Sequence, residues 1–193
     1  MRESTLIIVV SGLPRTGTSM MMQMLAAGGC PILTDTLRPP DASNPQGYFE
    51  FEPVRRLALD SSWLPQARGR AVKVVAPLLP CLPLEASDGS PIEYRVVFMR
   101  RAWEEVAASQ SRMLQNLGLA HLEQPEGQLR AGMLQLEAAA LAWLARYKIP
   151  TLEIDYRQTL ANPAATAAQL ASFIPGLIAL PAAAAVRQGE GQP

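Results

Sequence analysis

The residues predict an α/β fold, a three-layer P-loop-type arrangement with a mostly parallel sheet and helices on both faces. Two observations predict it. Strand-like runs at 6–10, 71–75, 94–99 and 151–154 alternate with helix-forming stretches at 18–27, 53–59, 102–117, 126–147 and 163–173. That alternation means βαβ units, and in such a sheet a ligand lies at the carboxyl ends of the strands. The second observation is a glycine loop, Gly12-Leu-Pro-Arg-Thr-Gly-Thr-Ser19, joining the first strand to the first helix. A single domain is expected over 1–180, with an Ala/Gly-rich tail at 181–193; a chain of 193 residues is long enough to bury a substantial core.

Each element has its own reason. Residues 6–10 are continuously apolar, as a buried parallel strand requires, and 20–25 continue the helix that opens at Thr18. Residues 38–47 and 84–91 read as loops, the first long enough to be functional. Lys73 interrupts the strand at 71–75. A lysine there is costly unless paired, so it faces either a bound anion or an exposed sheet edge. Arg100 and Arg101 end the strand that begins at Tyr94, and the chain turns helical from Ala102. Leu129, Met133, Leu136, Ala140, Leu141 and Leu144 recur at helical spacing and are expected in the core. The last strand runs to about Tyr156, after which Asn162 is an N-cap with Pro163 at the first helical position. Residues 182–185 suggest one frayed helical turn.

Strand, glycine loop and helix in that order form an anion cradle. Loop amides and the helix N-terminus point at one spot, where the helix dipole favours negative charge. The spacing is that of a P-loop, yet Thr18 stands where a Walker A motif keeps its lysine, and the cation is Arg15, in mid-loop. A nucleotide kinase or triphosphatase needs that lysine and a Mg²⁺ held by an acid at a strand end. The strand ending in Arg100 offers none, and Asp155 is the only strand-end acid. Sulfonate transfer is less demanding: the group carries one negative charge, and the leaving nucleotide's charge can be met by Arg15 and loop amides without a metal. A protein that binds a nucleotide without turnover is the third class.

Pro14 to Ser19 resembles, position by position, the 5′-phosphosulfate-binding loop of the sulfotransferases, enzymes that use 3′-phosphoadenosine 5′-phosphosulfate. Arg101-Ala-Trp-Glu-Glu-Val-Ala-Ala-Ser109 resembles that family's 3′-phosphate-binding motif, an Arg at a strand end and a Ser eight residues on, with Glu105-Val106 where the family usually has Asp-Val. The spacing is sound: an arginine can fork two hydrogen bonds to a phosphate, and about two helical turns bring a serine back to the same face. Tyr156-Arg-Gln-Thr-Leu-Ala-Asn-Pro163 is similar to a Tyr-Glu-Asp-like segment that ends in Asp or Asn then Pro. The resemblance spans roughly 5–173 and implies a short, bacterial-type member. Such an enzyme moves a sulfonate to a hydroxyl or amine of a small-molecule, carbohydrate or lipid acceptor, with no metal. By the resemblance Arg15, Thr16, Gly17, Thr18 and Ser19 hold the 5′-phosphosulfate, with Arg15 also catalytic. Arg101 and Ser109 hold the 3′-phosphate, and Tyr156 lies near the adenine. The chain departs from better-known members in having no Gly-x-x-Gly-x-x-Lys stretch near its end and no match for the histidine base of the cytosolic enzymes.

Composition narrows the partners. With 17 basic and 17 acidic residues the formal net charge is zero, so no long-range field favours nucleic acid or an anionic membrane, and any anion site must be local. Cys30 and Cys81 lie in apolar settings and are expected to be buried free thiols of a cytoplasmic protein. The run at 6–10 is too short for a signal peptide or a membrane span.

The acceptor must lose a proton, so a base near the cradle is expected. His121, the only histidine, sits in an apolar stretch and reads as structural. Residues 41–52, Asp-Ala-Ser-Asn-Pro-Gln-Gly-Tyr-Phe-Glu-Phe-Glu, resemble an Asn-Pro-x-Gly-Tyr-Phe-Glu stretch of bacterial sulfotransferases, in the region where carboxylate-base members place that base. Glu50 is the expected base, and Tyr48, Phe49 and Phe51 are expected to wall an apolar acceptor pocket around it.

Overall fold

The structure, a computed structural model, describes residues 5–35, 37–41, 44, 47–119 and 126–186. Among them, five strands form one all-parallel sheet: β1 (Ile7–Gly12), β2 (Ile32–Leu33), β3 (Ala71–Lys73), β4 (Tyr94–Arg100) and β5 (Thr151–Asp155), in spatial order β2-β3-β1-β4-β5. The helices are α1 (Thr18–Ala27), α2 (Leu64–Ala67), α3 (Trp103–Asn116), α4 (Glu126–Arg146), α5 (Tyr156–Ala161), α6 (Pro163–Phe173) and α7 (Ala179–Ala184), with 3₁₀ turns at Glu52–Arg56 and Ala76–Cys81. No helix among the described residues is long and apolar enough to cross a membrane.

The pleat of β1 sorts its side chains between two cores. Ile7 and Val9 pack with Val72, Phe98 and, from α4, Leu144; Ile8 and Val10 pack with the methionines of α1, Leu170 of α6 and Ala182 of α7. The expected α/β fold with helices on both faces is therefore present. Phe98 is fully buried at the centre of the sheet, and truncating such a ring to alanine costs about 3–5 kcal/mol. Helix α1 leaves β1 toward one face, while α4, on the connection from β4 to β5, packs on the other. Connections that diverge in this way open a crevice at the carboxyl ends of β1 and β4.

Several elements differ from the sequence expectation. The helix expected at 53–59 is a 3₁₀ turn at Glu52–Arg56, with Pro53 in its first turn and with Val54 and, just past its end, Leu57 buried in the core. The edge strand β2 and the one-turn helix α2 are too short to leave a periodic signal. The last strand stops at Asp155, whose carboxylate accepts from Gln158 N (2.8 Å) and caps α5, so Tyr156 starts a helix. Asn162 caps α6 as expected, accepting from Ala165 N at 3.1 Å. Ala140 and Leu144 enter the core, but Leu136 is exposed, since α4 packs along its C-terminal half. Both cysteines are free thiols but only partly buried. Burial pushes the Cys30 thiol above its ordinary range. His121 and tail residues 187–193 lie outside the described residues.

Candidate functional site

The loop between β1 and α1 is shaped by its glycines. Gly12 has φ +143°, and a Cβ there would stand 2.6 Å from Thr16 Oγ1 and 2.7 Å from the Met99 carbonyl oxygen of β4. Gly17 has φ +94°, and its Cβ would stand 2.5 Å from Tyr156 Cδ2. Neither position has room for a side chain. Between them Arg15 takes φ +71°, a left-handed conformation unfavourable for a residue with a Cβ. Thr16 is buried, and both its amide (3.3 Å) and its hydroxyl (2.7 Å) donate to the Leu13 carbonyl, so its side chain closes the loop rather than facing the crevice. Thr18 is buried at the first position of α1, whose N-terminus carries no side-chain cap.

Two motifs far apart in sequence converge on this loop. Arg15 Nε donates to Ser109 Oγ (3.0 Å), and Arg15 Nη1 lies 3.8 Å from Met113 Sδ, both on α3. Arg101, just beyond β4, donates from Nη1 to the Arg15 carbonyl (3.0 Å) and from Nε to Glu105 (2.9 Å). The Arg101 guanidinium lies 4.0 Å from the Tyr156 ring centroid, a cation–π contact. Tyr156 is thus buried between Arg101 and Gly17 and braces both. Burial, reinforced by the charges of Arg101 and Arg38 and opposed by Tyr48 and Asp41, lowers the Arg15 pKa from its ordinary value.

A third group approaches from the other side. Lys73 ends β3, which lies between β2 and β1, so the lysine is not at a sheet edge. It is buried, and its Nζ donates to the Tyr48 carbonyl (2.7 Å) and to Ser19 Oγ (3.3 Å), with Glu50 Oε1 at 3.7 Å. Burial pushes its pKa down to about 8, against the pull of Glu50. Ser19 Oγ donates to the Tyr48 carbonyl (3.2 Å) and accepts from Asn44 Nδ2 (3.0 Å). Asn44 and Tyr48 of the Asn-Pro-x-Gly-Tyr-Phe-Glu motif are thereby tied to the first turn of α1.

Glu50 sits among cations: Arg38 at 2.9 Å, Arg55 at 3.2 Å and Lys73 at 3.7 Å. Glu52 pairs with Arg55 further out. The aromatic wall expected around Glu50 is not assembled. Phe51 packs edge-on to Trp63 (centroids 5.8 Å apart) in the core beneath one face of the sheet, and Phe49 joins the core on the other. A positive φ of 51° at Phe49 turns the chain between them. Only Tyr48 stays at the site. Its hydroxyl donates to the Asp41 carboxylate (2.7 and 2.8 Å), and Arg38 lies 3.3 Å from its ring centroid. Burial and the Asp41 hydrogen bond raise its phenol pKa. Sequence reasoning placed Tyr48 at the site as a pocket wall, but it missed Arg38, Asn44 and the hydrogen bond of Tyr48 to Asp41. Asn44 and Tyr48 carried a signal in the quoted motif, and Arg38 carried none.

The structure therefore brings Arg15, Gly17, Ser19, Arg101, Ser109 and Tyr156 together at the crevice, with Lys73 and Glu50 beside Ser19. In comparisons with known proteins, no family model and no curated sequence matches this chain.

Proposed function

We propose that this chain is a sulfotransferase that takes a sulfonate from 3′-phosphoadenosine 5′-phosphosulfate and gives it to a hydroxyl or amine of a small molecule, carbohydrate or lipid. The observation that carries the reading is the 3.0 Å hydrogen bond from Arg15 to Ser109, two residues 94 positions apart. It joins the loop suited to the 5′ end of such a nucleotide to the Arg–Ser pair suited to its 3′-phosphate. The residues fit the group: a loop in which a Cβ at Gly12 or Gly17 would collide, an uncapped helix N-terminus and a guanidinium in mid-loop. When bound, the nucleotide supplies a sulfonate already activated by its phosphate leaving group.

The chain's own residues would then divide the work. Arg15 and Lys73 neutralise charge on the sulfonate side of the loop, in a partly buried site where charge–charge attraction is stronger than in water. Ser19 and Thr18 present the first turn of α1, Thr16 and Gly17 hold the loop's shape, and Arg101 and Ser109 bind the 3′-phosphate with Tyr156 as their brace, near the adenine. Glu50 takes the acceptor's proton, kept beside the cradle by its ion pair with Lys73.

The test is direct. Calorimetry should show 3′-phosphoadenosine 5′-phosphate bound more tightly than ATP, and the purified protein should move label from the sulfonate donor to members of an acceptor screen. ATP preferred over the 3′-phosphorylated ligand would overturn the reading.

A further inference from the structure

At the outer end of the crevice, two guanidiniums share one carboxylate. Glu105, in the first turn of α3, accepts from Arg101 Nε at 2.9 Å and from Nε of Arg157, the second residue of α5. Burial pushes the Glu105 carboxyl up, but hydrogen bonds from Arg101 and Arg157 outweigh it and hold the group below its ordinary range. The two arginines come from different connections, one following β4 and the other following β5. Their meeting is a product of the sheet order, in which β4 and β5 are neighbours.

The charges are unequal. Arg15, Arg101 and Arg157 bring three cations to this end of the site, against the carboxylates of Glu105 and of Asp155, which accepts from the Gln158 amide. Arg157 is the exposed member, its side chain 67% accessible, and among the described residues its two terminal nitrogens make no hydrogen bond. It adjoins Tyr156, on whose ring Arg101 rests. In the Tyr-Glu-Asp-like segment that 156–158 resemble, an acid stands where this chain has Arg157.

We propose that Arg157 is the second guanidinium of a phosphate clamp, closing with Arg101 on the 3′-phosphate of the nucleotide while Glu105 holds the two arginines in register. The proposal rests on the sulfotransferase reading. A phosphomonoester carries about −1.5 to −2 charges at neutral pH, and two forked donors suit it where one would leave charge unmet. Arg101 alone would recognise the phosphate; Arg157 adds a donor arm from the solvent side.

The experiment titrates 3′-phosphoadenosine 5′-phosphate and AMP into the full-length wild type, Arg157→Gln, Arg157→Lys and Arg101→Ala, with melting temperatures recorded alongside. Arg157→Gln should weaken the 3′-phosphorylated ligand by about 10- to 150-fold and leave AMP nearly unchanged, with Arg157→Lys recovering part of the loss. An unaltered preference in Arg157→Gln, with the preference lost in Arg101→Ala, overturns the clamp and leaves the sulfotransferase reading standing. Equal weakening of both ligands also overturns it, since that marks a merely structural residue. A wild type with no preference for the 3′-phosphate overturns the clamp and the reading together.

Discussion

Lys73 Nζ lies 3.3 Å from Ser19 Oγ. In a P-loop of the Walker type, the hydroxyl at the position of Ser19 holds Mg²⁺. Here a buried ammonium reaches that hydroxyl from the neighbouring strand, with Asn44 Nδ2 donating to it from the opposite segment. A divalent cation at that spot would meet a like charge. The loop is thus flanked by the chain's own cations, Arg15 and Lys73, which is why our proposal favours sulfonate over phosphoryl chemistry.

Nucleotide affinity should accordingly be the same in EDTA and in Mg²⁺. Asp155, the strand-end acid a kinase would recruit, caps α5 instead. Asp155→Ala should cost about 1 kcal/mol of stability in urea unfolding and leave nucleotide affinity nearly intact. A strict Mg²⁺ requirement, lost in Asp155→Ala, would point to a kinase.

Lys73 sets a pH dependence. Its pKa is lowered from 10.5 to about 8 in the folded chain, first of all by burial. Below pH 8 the folded state holds a proton it disfavours, at a cost of about 3 kcal/mol from the size of the shift. Between about pH 8 and 10.5 the unfolded chain keeps that proton while the folded chain releases it, so this penalty fades as pH rises. Lys73→Met should therefore be more stable than the wild type at pH 7, by up to about 3 kcal/mol, with the margin shrinking above pH 8. The variant should also lose turnover. A margin that does not change with pH, in denaturant titrations at pH 7 and 9.5, would show that Lys73 is not a strained cation.

Arg101 makes the second prediction about binding. Losing its charge-assisted hydrogen bonds should cost roughly 1.5–3 kcal/mol, about 10- to 150-fold in affinity, and should fall on ligands with a 3′-phosphate. Calorimetry on Arg101→Ala with 3′-phosphoadenosine 5′-phosphate, AMP and ADP checks it. A uniform loss across all three would instead mean that Arg101 acts only by supporting the Arg15 carbonyl and the Tyr156 ring.

Glu50 carries the prediction about chemistry. Glu50→Gln should lower turnover by roughly 10²–10⁴ with nucleotide affinity nearly unchanged, and phenolic acceptors should lose less than alcohols because their own protons leave more readily. Glu52→Gln, Asp41→Asn and His121→Ala serve as parallel variants. Full turnover in Glu50→Gln with collapse in one of the others would move the base to that residue. Asp41, bonded to the Tyr48 hydroxyl, is the first to watch.

The residues alone were enough for the parallel sheet, the glycine cradle and the Arg101–Ser109 spacing, because each rests on local rules. A buried strand needs an apolar run, a left-handed turn favours glycine, and a helix repeats every 3.6 residues. The Asn162 cap was legible for the same reason. Leu136 was misplaced because periodicity marks an apolar stripe but not how much of it a neighbour covers. Phe49 and Phe51 were misplaced because one positive φ sends two aromatics a residue apart to opposite faces of the sheet.

What only the tertiary structure decided is which charges meet. Lys73 left two readings open in the sequence, and the answer came from β3 lying between β2 and β1, which buries the amine beside Ser19. Glu50 was legible as a carboxylate near the cradle, but its three cationic neighbours come from segments on both sides of it in the chain. The Arg101–Glu105–Arg157 cluster likewise requires β4 and β5 to be adjacent. Strand order is set by the packing of helices on the two faces, a long-range balance of buried area that no local pattern encodes. Local spacing determined which loop, helix end and cations this protein carries; the order of its strands decided where those groups stand.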